Sequence, residues 1–189
     1  MWMIGSLLAM ATALAMAWVT RPRSEWSGGD AGRFCTAVIL LPAGLLNALA
    51  TGTQTGDLHQ AAQLLLQLSL YAGLPLLAAI VVAEQLGHFF SRLIWGRALL
   101  AICAVFALLR TSPYLHYWLL LVLIAAGLGL LWGALQQRRA CWLALPLWLL
   151  VLASFWALNM PQHAALWLWL AASGAVLTAV RRLPEASSD

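Results

Sequence analysis

Long apolar runs separated by short polar intervals set the pattern of this chain. A bilayer is crossed by about 20 apolar residues, within a range of about 17–25. Seven runs meet that length: 2–20, 34–51, 61–83, 93–109, 114–135, 141–158 and 163–180. No interval is long enough for a soluble domain, so successive runs return as antiparallel neighbours. The pattern predicts an all-α, polytopic membrane protein: one bundle of seven transmembrane helices over residues 1–183, then a polar, unstructured tail over 184–189.

The third run carries a second pattern. Residues 57–71 read DLHQAAQLLLQLSLY, with Gln60, Gln63, Gln67 and Tyr71 at helical spacing. On a helix these four fall within about 80° of one another. An unsatisfied amide in hydrocarbon costs several kcal/mol, so the stripe is expected to face the bundle interior. Asn47 and Thr51 stand one turn apart near the end of the second run, and Ser154 and Asn159 near the end of the sixth. Together these predict a polar, outward-facing pocket with Asn47, Thr51, Asp57, Gln63, Gln67 and Tyr71 as its ligand-binding residues. The bland alternative for the deeper Asn47 and Gln67 is hydrogen-bond glue between helices.

Composition strengthens the membrane assignment. The 189 residues are 63% hydrophobic and 8% charged, against about 25% charged in a soluble domain. The net charge of +4 rests on ten arginines, with no lysine. Arg21, Arg23, Arg33, Arg92, Arg97, Arg138, Arg139, Arg181 and Arg182 fall on one side if all seven helices cross, leaving Arg110 alone outside. The positive-inside rule then orients the chain with its N-terminus out and its C-terminus in. The basic excess marks the cytoplasmic side of a bacterial-type inner membrane, not a nucleic-acid interface. Arg97, inside the fourth run, reaches the interface by snorkelling. If that run did not cross, Arg138, Arg139, Arg181 and Arg182 would all move outside.

The ends of the runs fit this plan. Arg21 and Arg23 follow the first run with no positive charge before it, the reverse of a secretory signal, so a retained first helix is expected. Ser112-Pro113 reads as an N-cap with proline at the first helical position, and Pro161 repeats the signal for the last run. Trp18, Trp95, Trp132 and Trp142 near the inner boundary, and Trp2, Trp118 and Trp156 near the outer one, read as an aromatic belt. Pro42, Pro75 and Pro146 lie within runs, where each leaves the carbonyl four residues earlier without its usual donor. Residues 25–32, EWSGGDAG, read as a short flexible inner loop.

Candidate chemistry lies at the helix ends. His59, His116 and His163 each stand near an outer end. With a carboxylate or water they could hold Zn²⁺ or Cu²⁺ at the outer face. Glu84, His88 and Arg92, one turn apart in succession, read as a solvated helix face at the inner boundary, with an ordinary charge pair. There is no phosphate-binding glycine loop and no GxSxG elbow. Gly5, Ala9, Ala13 and Ala17 in the first run, and Gly129-x-x-x-Gly133 in the fifth, are small-residue faces for close helix packing, within the chain or against a membrane partner.

The gross plan is similar to that of the ceramidase and progestin-receptor-like membrane hydrolases. That family holds zinc with a serine and histidine one turn apart in the second helix, an aspartate in the third and HxxxH in the seventh. Here the comparable positions read Asn47-x-x-x-Thr51 and His163-x-x-x-Trp167, so only His163 matches and the catalytic residues otherwise depart. The plan also resembles microbial rhodopsins, whose retinal lysine is missing here. The expected function is therefore a binding or accessory module in the membrane. The alternatives are a structural subunit docking through small-residue faces and a metal-dependent lipid hydrolase.

Overall fold

The protein is represented by a computed structural model that describes residues 2–22, 26–52, 56–88, 90–109, 112, 114–136, 139–158 and 164–180. The expectations for Arg23, Arg110, Pro113, Arg138, Asn159, Pro161, His163, Arg181, Arg182 and the tail lie outside the described residues. Every regular element among the described residues is helical: α1 (Trp2–Val19), α2 (Gly28–Gly52), α3 (Gly56–Leu68), α4 (Leu74–Gln85), α5 (Arg92–Leu109), α6 (Leu115–Leu135), α7 (Arg139–Leu158) and α8 (Ala164–Val180). A π-helical turn, Ser69–Gly73, joins α3 to α4 in one rod, so the helices form seven rods. Four are long and apolar enough to cross a membrane: Gly28–Gly52, Gly56–Glu84, Arg92–Leu109 and Leu115–Leu135. This marks a multi-pass membrane protein.

Each predicted run is helical, but two helices begin earlier than the apolar pattern suggested. α2 starts at Gly28, not 34, because Ser27 caps it. Ser27 Oγ accepts the Asp30 N–H at 3.1 Å, the bond of an N-cap serine, and donates to Asp30 Oδ2 at 2.7 Å. The glycine-rich stretch expected to be a loop is the first turn of a helix. α3 likewise starts at Gly56, not 61, carrying Asp57 and His59 into its first turn.

Proline explains the π turn. Pro75 cannot donate to the Tyr71 carbonyl. Just before it, Leu74 donates to the Ser69 carbonyl across a widened turn, and the rod continues. Pro42 and Pro146 lie inside α2 and α7, which also continue through them.

α4 is the centre of the packing. Leu74, Leu76, Leu77, Ile80 and Val81 are buried, and α4 touches α2, α5, α6 and α8. Around it α1 packs on α2 and α8, α8 on α7, and α7 on α6. α5 lies at the edge, against α2, the π turn and α4; of its described residues only Trp95 and Phe106 are buried. Trp95 is thus a buried residue and not a member of the belt, whereas Trp18, Trp132, Trp142 and Trp156 are exposed.

The small-residue faces work inside the chain. Ala9 and Ala13 are buried, and a Cβ on Gly5 would stand 3.8 Å from Ala165 Cβ on α8. A Cβ on Gly129 would lie 2.6 Å from Val82 Cγ2, closer than carbon atoms approach, so glycine is what lets α6 close on α4. Of the two uses expected for these faces, packing within the chain is the one seen at Gly5 and Gly129.

Candidate functional site

The most organised polar cluster lies where α2 begins and where α4 and α8 end. Arg33 is fully buried and Glu84 is 2% exposed. Arg33 Nη1 donates to Glu84 Oε1 at 2.8 Å and Nη2 to Oε2 at 2.5 Å, a bidentate pair. Nη2 also donates to Thr178 Oγ1 at 3.2 Å, and that hydroxyl donates to the Ala175 carbonyl at 2.7 Å. Asp30, one turn before Arg33, brings Oδ1 to 3.7 Å from Nη1. Three helices are thereby joined through one guanidinium, and the capping group of α2 extends the network to Ser27.

Local backbone geometry makes the pair possible. A Cβ on Gly29 would fall 2.2 Å from Glu84 Oε1, so a side chain there would displace the carboxylate. Beyond Gln85 the chain turns sharply. Gly87 adopts φ 76°, its N–H donates to the Glu84 carbonyl at 3.2 Å, and the His88 N–H donates to the Ala83 carbonyl at 2.9 Å. This is a Schellman ending, which favours glycine at the left-handed position. It corrects the expected Glu84–His88–Arg92 face. His88 stands past the helix end, exposed and stacked on Phe90 with ring centroids 6.0 Å apart. Arg92 opens α5 and is exposed. Glu84 turns inward to Arg33, because a carboxylate inside an apolar bundle needs a cation and hydrogen bonds.

Beside the pair lies a cavity of about 40 Å³, lined by Ser27, Gly28, Gly29, Glu84, His88, Phe90 and Trp95. The edge of the Phe90–Trp95 pair closes one side, with centroids 5.8 Å apart at 77°.

The residues expected to form an outer pocket do not behave as one group. Asn47 Nδ2 donates to Ser6 Oγ at 2.5 Å, tying α2 to α1. Thr51, exposed, donates back to the Ala48 carbonyl at 2.7 Å. Tyr71 is half-buried and stacked on Phe106 of α5, centroids 5.8 Å apart at 13°. Asp57, His59, Gln60, Gln63 and Gln67 are all exposed. The stripe is therefore real as a helix face but points outward, and the expectation that it faces inward is corrected. The opposite face of this rod carries Ala62, Ser69, Ala72 and Gly73, all buried. Small residues allow close approach to α2, which glutamine side chains would prevent.

The histidines follow the same course. His116 stacks on Phe155 at 4.6 Å between centroids, and Phe155 meets Trp167 edge-on at 5.3 Å. Among the described residues no three His, Cys, Asp or Glu side chains are placed to hold a metal ion. His163, the third expected ligand and the one match to the hydrolase pattern, lies outside them.

No protein-family model matches the chain, and no curated protein matches it in sequence.

Chemically, the Arg33–Glu84–Thr178 cluster is suited to holding helices together. A bidentate guanidinium–carboxylate pair engages both carboxylate oxygens. On the exposed glutamine face of α3 each amide can both donate and accept hydrogen bonds. Reading the sequence missed Arg33, Thr178 and Trp95 as parts of a site. One signal was available: Ser27-x-x-Asp30 is a capping pattern that places Arg33 within a helix. A single glutamate ending a long apolar run was the other, because it requires a cation from elsewhere.

Proposed function

We propose that this chain is a seven-span protein of a bacterial-type inner membrane, N-terminus out and C-terminus in, and that it works as a non-catalytic accessory module. Its recognition surface is the exposed outer face of α3, with Asp57, His59, Gln60, Gln63 and Gln67.

The crossing number is supported by the inner cluster. Arg33 begins α2, Glu84 ends α4 and Thr178 is near the end of α8, yet the three touch. The chain must then traverse the bundle an even number of times between Glu84 and Thr178. The rods α5 to α8 lie between them. A non-crossing α5 would leave an odd number and carry Thr178 to the far end. The arginine asymmetry supports placing this end inside.

The observation that carries the functional reading is the exposure of Gln60, Gln63 and Gln67 on one helix face. Elsewhere the exposed surface is largely apolar, as at Leu100, Leu108, Leu121 and Leu128. Lipid chains neither donate nor accept hydrogen bonds. A protein helix offering amides or hydroxyls does both, at about 1 kcal/mol per contact. The partner is thus expected to be a membrane protein meeting α3 at the outer leaflet.

Photo-crosslinking tests this. A photoreactive side chain at position 63 or 67 should give protein adducts in native membranes, whereas one at position 128, on the lipid face of α6, should give lipid adducts. Replacing Gln60, Gln63 and Gln67 together by leucine should abolish the protein adduct from position 59. If positions 63 and 67 give lipid adducts alone, as position 128 does, the recognition reading is wrong.

A further inference from the structure

α5 is the edge helix, and its outward face holds a charge. Trp95 and Phe106 are buried, and Ala98, Leu99 and Ile102 pack against the cluster that holds Trp95. At 100° per residue Arg97 stands about 160–200° around the helix from Trp95 and Leu99, directly away from that seam. Leu93, Leu100, Ala101, Ala104 and Leu108 share its side, and all are exposed with it. α5 is among the helices able to cross a membrane, so this face meets lipid.

Arg97 lies about 7.5 Å along the axis from Arg92, at 1.5 Å per residue. An arginine at that depth is costly in hydrocarbon unless its head reaches the interface. Long side chains on a helix lean toward its N-terminus, over the positions three and four residues earlier. For Arg97 these are Ile94 and Leu93, so the guanidinium is carried back to the arginine-bearing end. The chain supplies no anion to meet it there. Arg97 has no ion pair or hydrogen bond among the described residues. Of the described carboxylates, Asp30 and Glu84 lie against Arg33, and Asp57 is at the other end of the α3–α4 rod.

We propose that Arg97 binds the headgroup of an anionic phospholipid, whose acyl chains run along Leu100, Ala101 and Ala104. The planar guanidinium fork matches phosphate oxygens. A zwitterionic headgroup presents the same phosphate with its own ammonium beside it, whereas an anionic headgroup brings a charge that nothing in the lipid offsets. The apolar row running from Arg97 toward the bilayer centre suits acyl chains and offers nothing to a free anion. The inference needs only that α5 crosses the membrane. It holds whichever end faces the cytoplasm, and it does not involve the glutamine face of α3.

The test uses the full chain in phosphatidylcholine vesicles holding a trace of photoreactive lipid. The probe is either phosphatidylglycerol or phosphatidylcholine, each with a diazirine high on one acyl chain. Peptide mass spectrometry locates the adducts. The phosphatidylglycerol probe should label α5 about five-fold more than the phosphatidylcholine probe, the preference of one arginine for an anionic headgroup layer. Arg97→Gln should bring the two probes to parity on α5, and Arg97→Lys, which keeps the charge, should keep the preference. Arg92→Gln, the same charge change on another side of the helix, should leave it in place. Equal labelling of the unmodified protein by both probes, a preference that survives Arg97→Gln, or one lost equally in Arg92→Gln overturns the proposal.

Discussion

At the arginine-bearing end a bidentate ion pair, Arg33–Glu84, is enclosed by protein, and at the other end neutral amides, Gln60, Gln63 and Gln67, stand on the outside of the bundle. The two arrangements follow from what each group loses on leaving water. A charge loses several kcal/mol even after relaxation, so it is tolerated only with partners already in place. Here these partners are a bidentate acceptor, the Thr178 hydroxyl and the nearby Asp30 carboxylate. An amide loses less, and near the end of a helix it is within reach of water, headgroups or another protein. The arginine-bearing end thus pairs its buried charges within one chain, whereas the glutamine face at the other end keeps its hydrogen-bonding groups exposed.

That contrast can be broken by substitution, and the arginine-bearing end should respond most. Glu84→Ala leaves Arg33 buried without its carboxylate and should destabilise the bundle by about 3–5 kcal/mol. Denaturant titration in mixed micelles reads this, and Arg33→Met combined with Glu84→Leu should recover most of the loss. A double variant as unstable as the single one would show that the pair is not what matters there.

Gly29→Ala should cost about 1–3 kcal/mol, because the new methyl meets a carboxylate that the clamp holds in place. The same titration should show the penalty shrinking when Glu84 is already alanine. Asn47→Leu removes the hydrogen bond between α1 and α2 and should cost about 1 kcal/mol. The smallest effect belongs to the outer stripe: Gln63→Leu with Gln67→Leu should change stability by no more than about 0.5 kcal/mol while removing the crosslinked partner. A large loss of stability there would mean that the amides serve the fold and not recognition.

These differences also mark what could be read from the amino-acid pattern. Apolar run length found every rod, because hydrocarbon thickness fixes the length of the greasy part. It misplaced the starts of α2 and α3, because helices continue past the hydrocarbon on polar residues such as Asp30 and Asp57. Helical spacing identified the stripe as a single face. It could not say which way the face points, since a stripe fixes an angular sector and not the neighbour opposite it. That was decided by Ala62, Ser69 and Gly73, whose small size suits the side facing α2. Arg33 and Glu84 are 51 positions apart, and no local periodicity reports on a pair formed only when three helix ends meet. Trp95 shows the same limit: its position along the chain fits a belt, whereas packing with Leu76, Ile80 and Ala83 of α4 buries it.

Cysteine labelling from the two sides of the membrane tests the central contrast most directly. In a background lacking Cys35, Cys103 and Cys141, a membrane-impermeant maleimide should modify Gln63→Cys in intact spheroplasts. It should modify Arg92→Cys only after the membrane is permeabilised. Labelling of Arg92→Cys in intact spheroplasts, with Gln63→Cys protected until permeabilisation, would contradict the account by placing the enclosed ion pair outside and the exposed amides within.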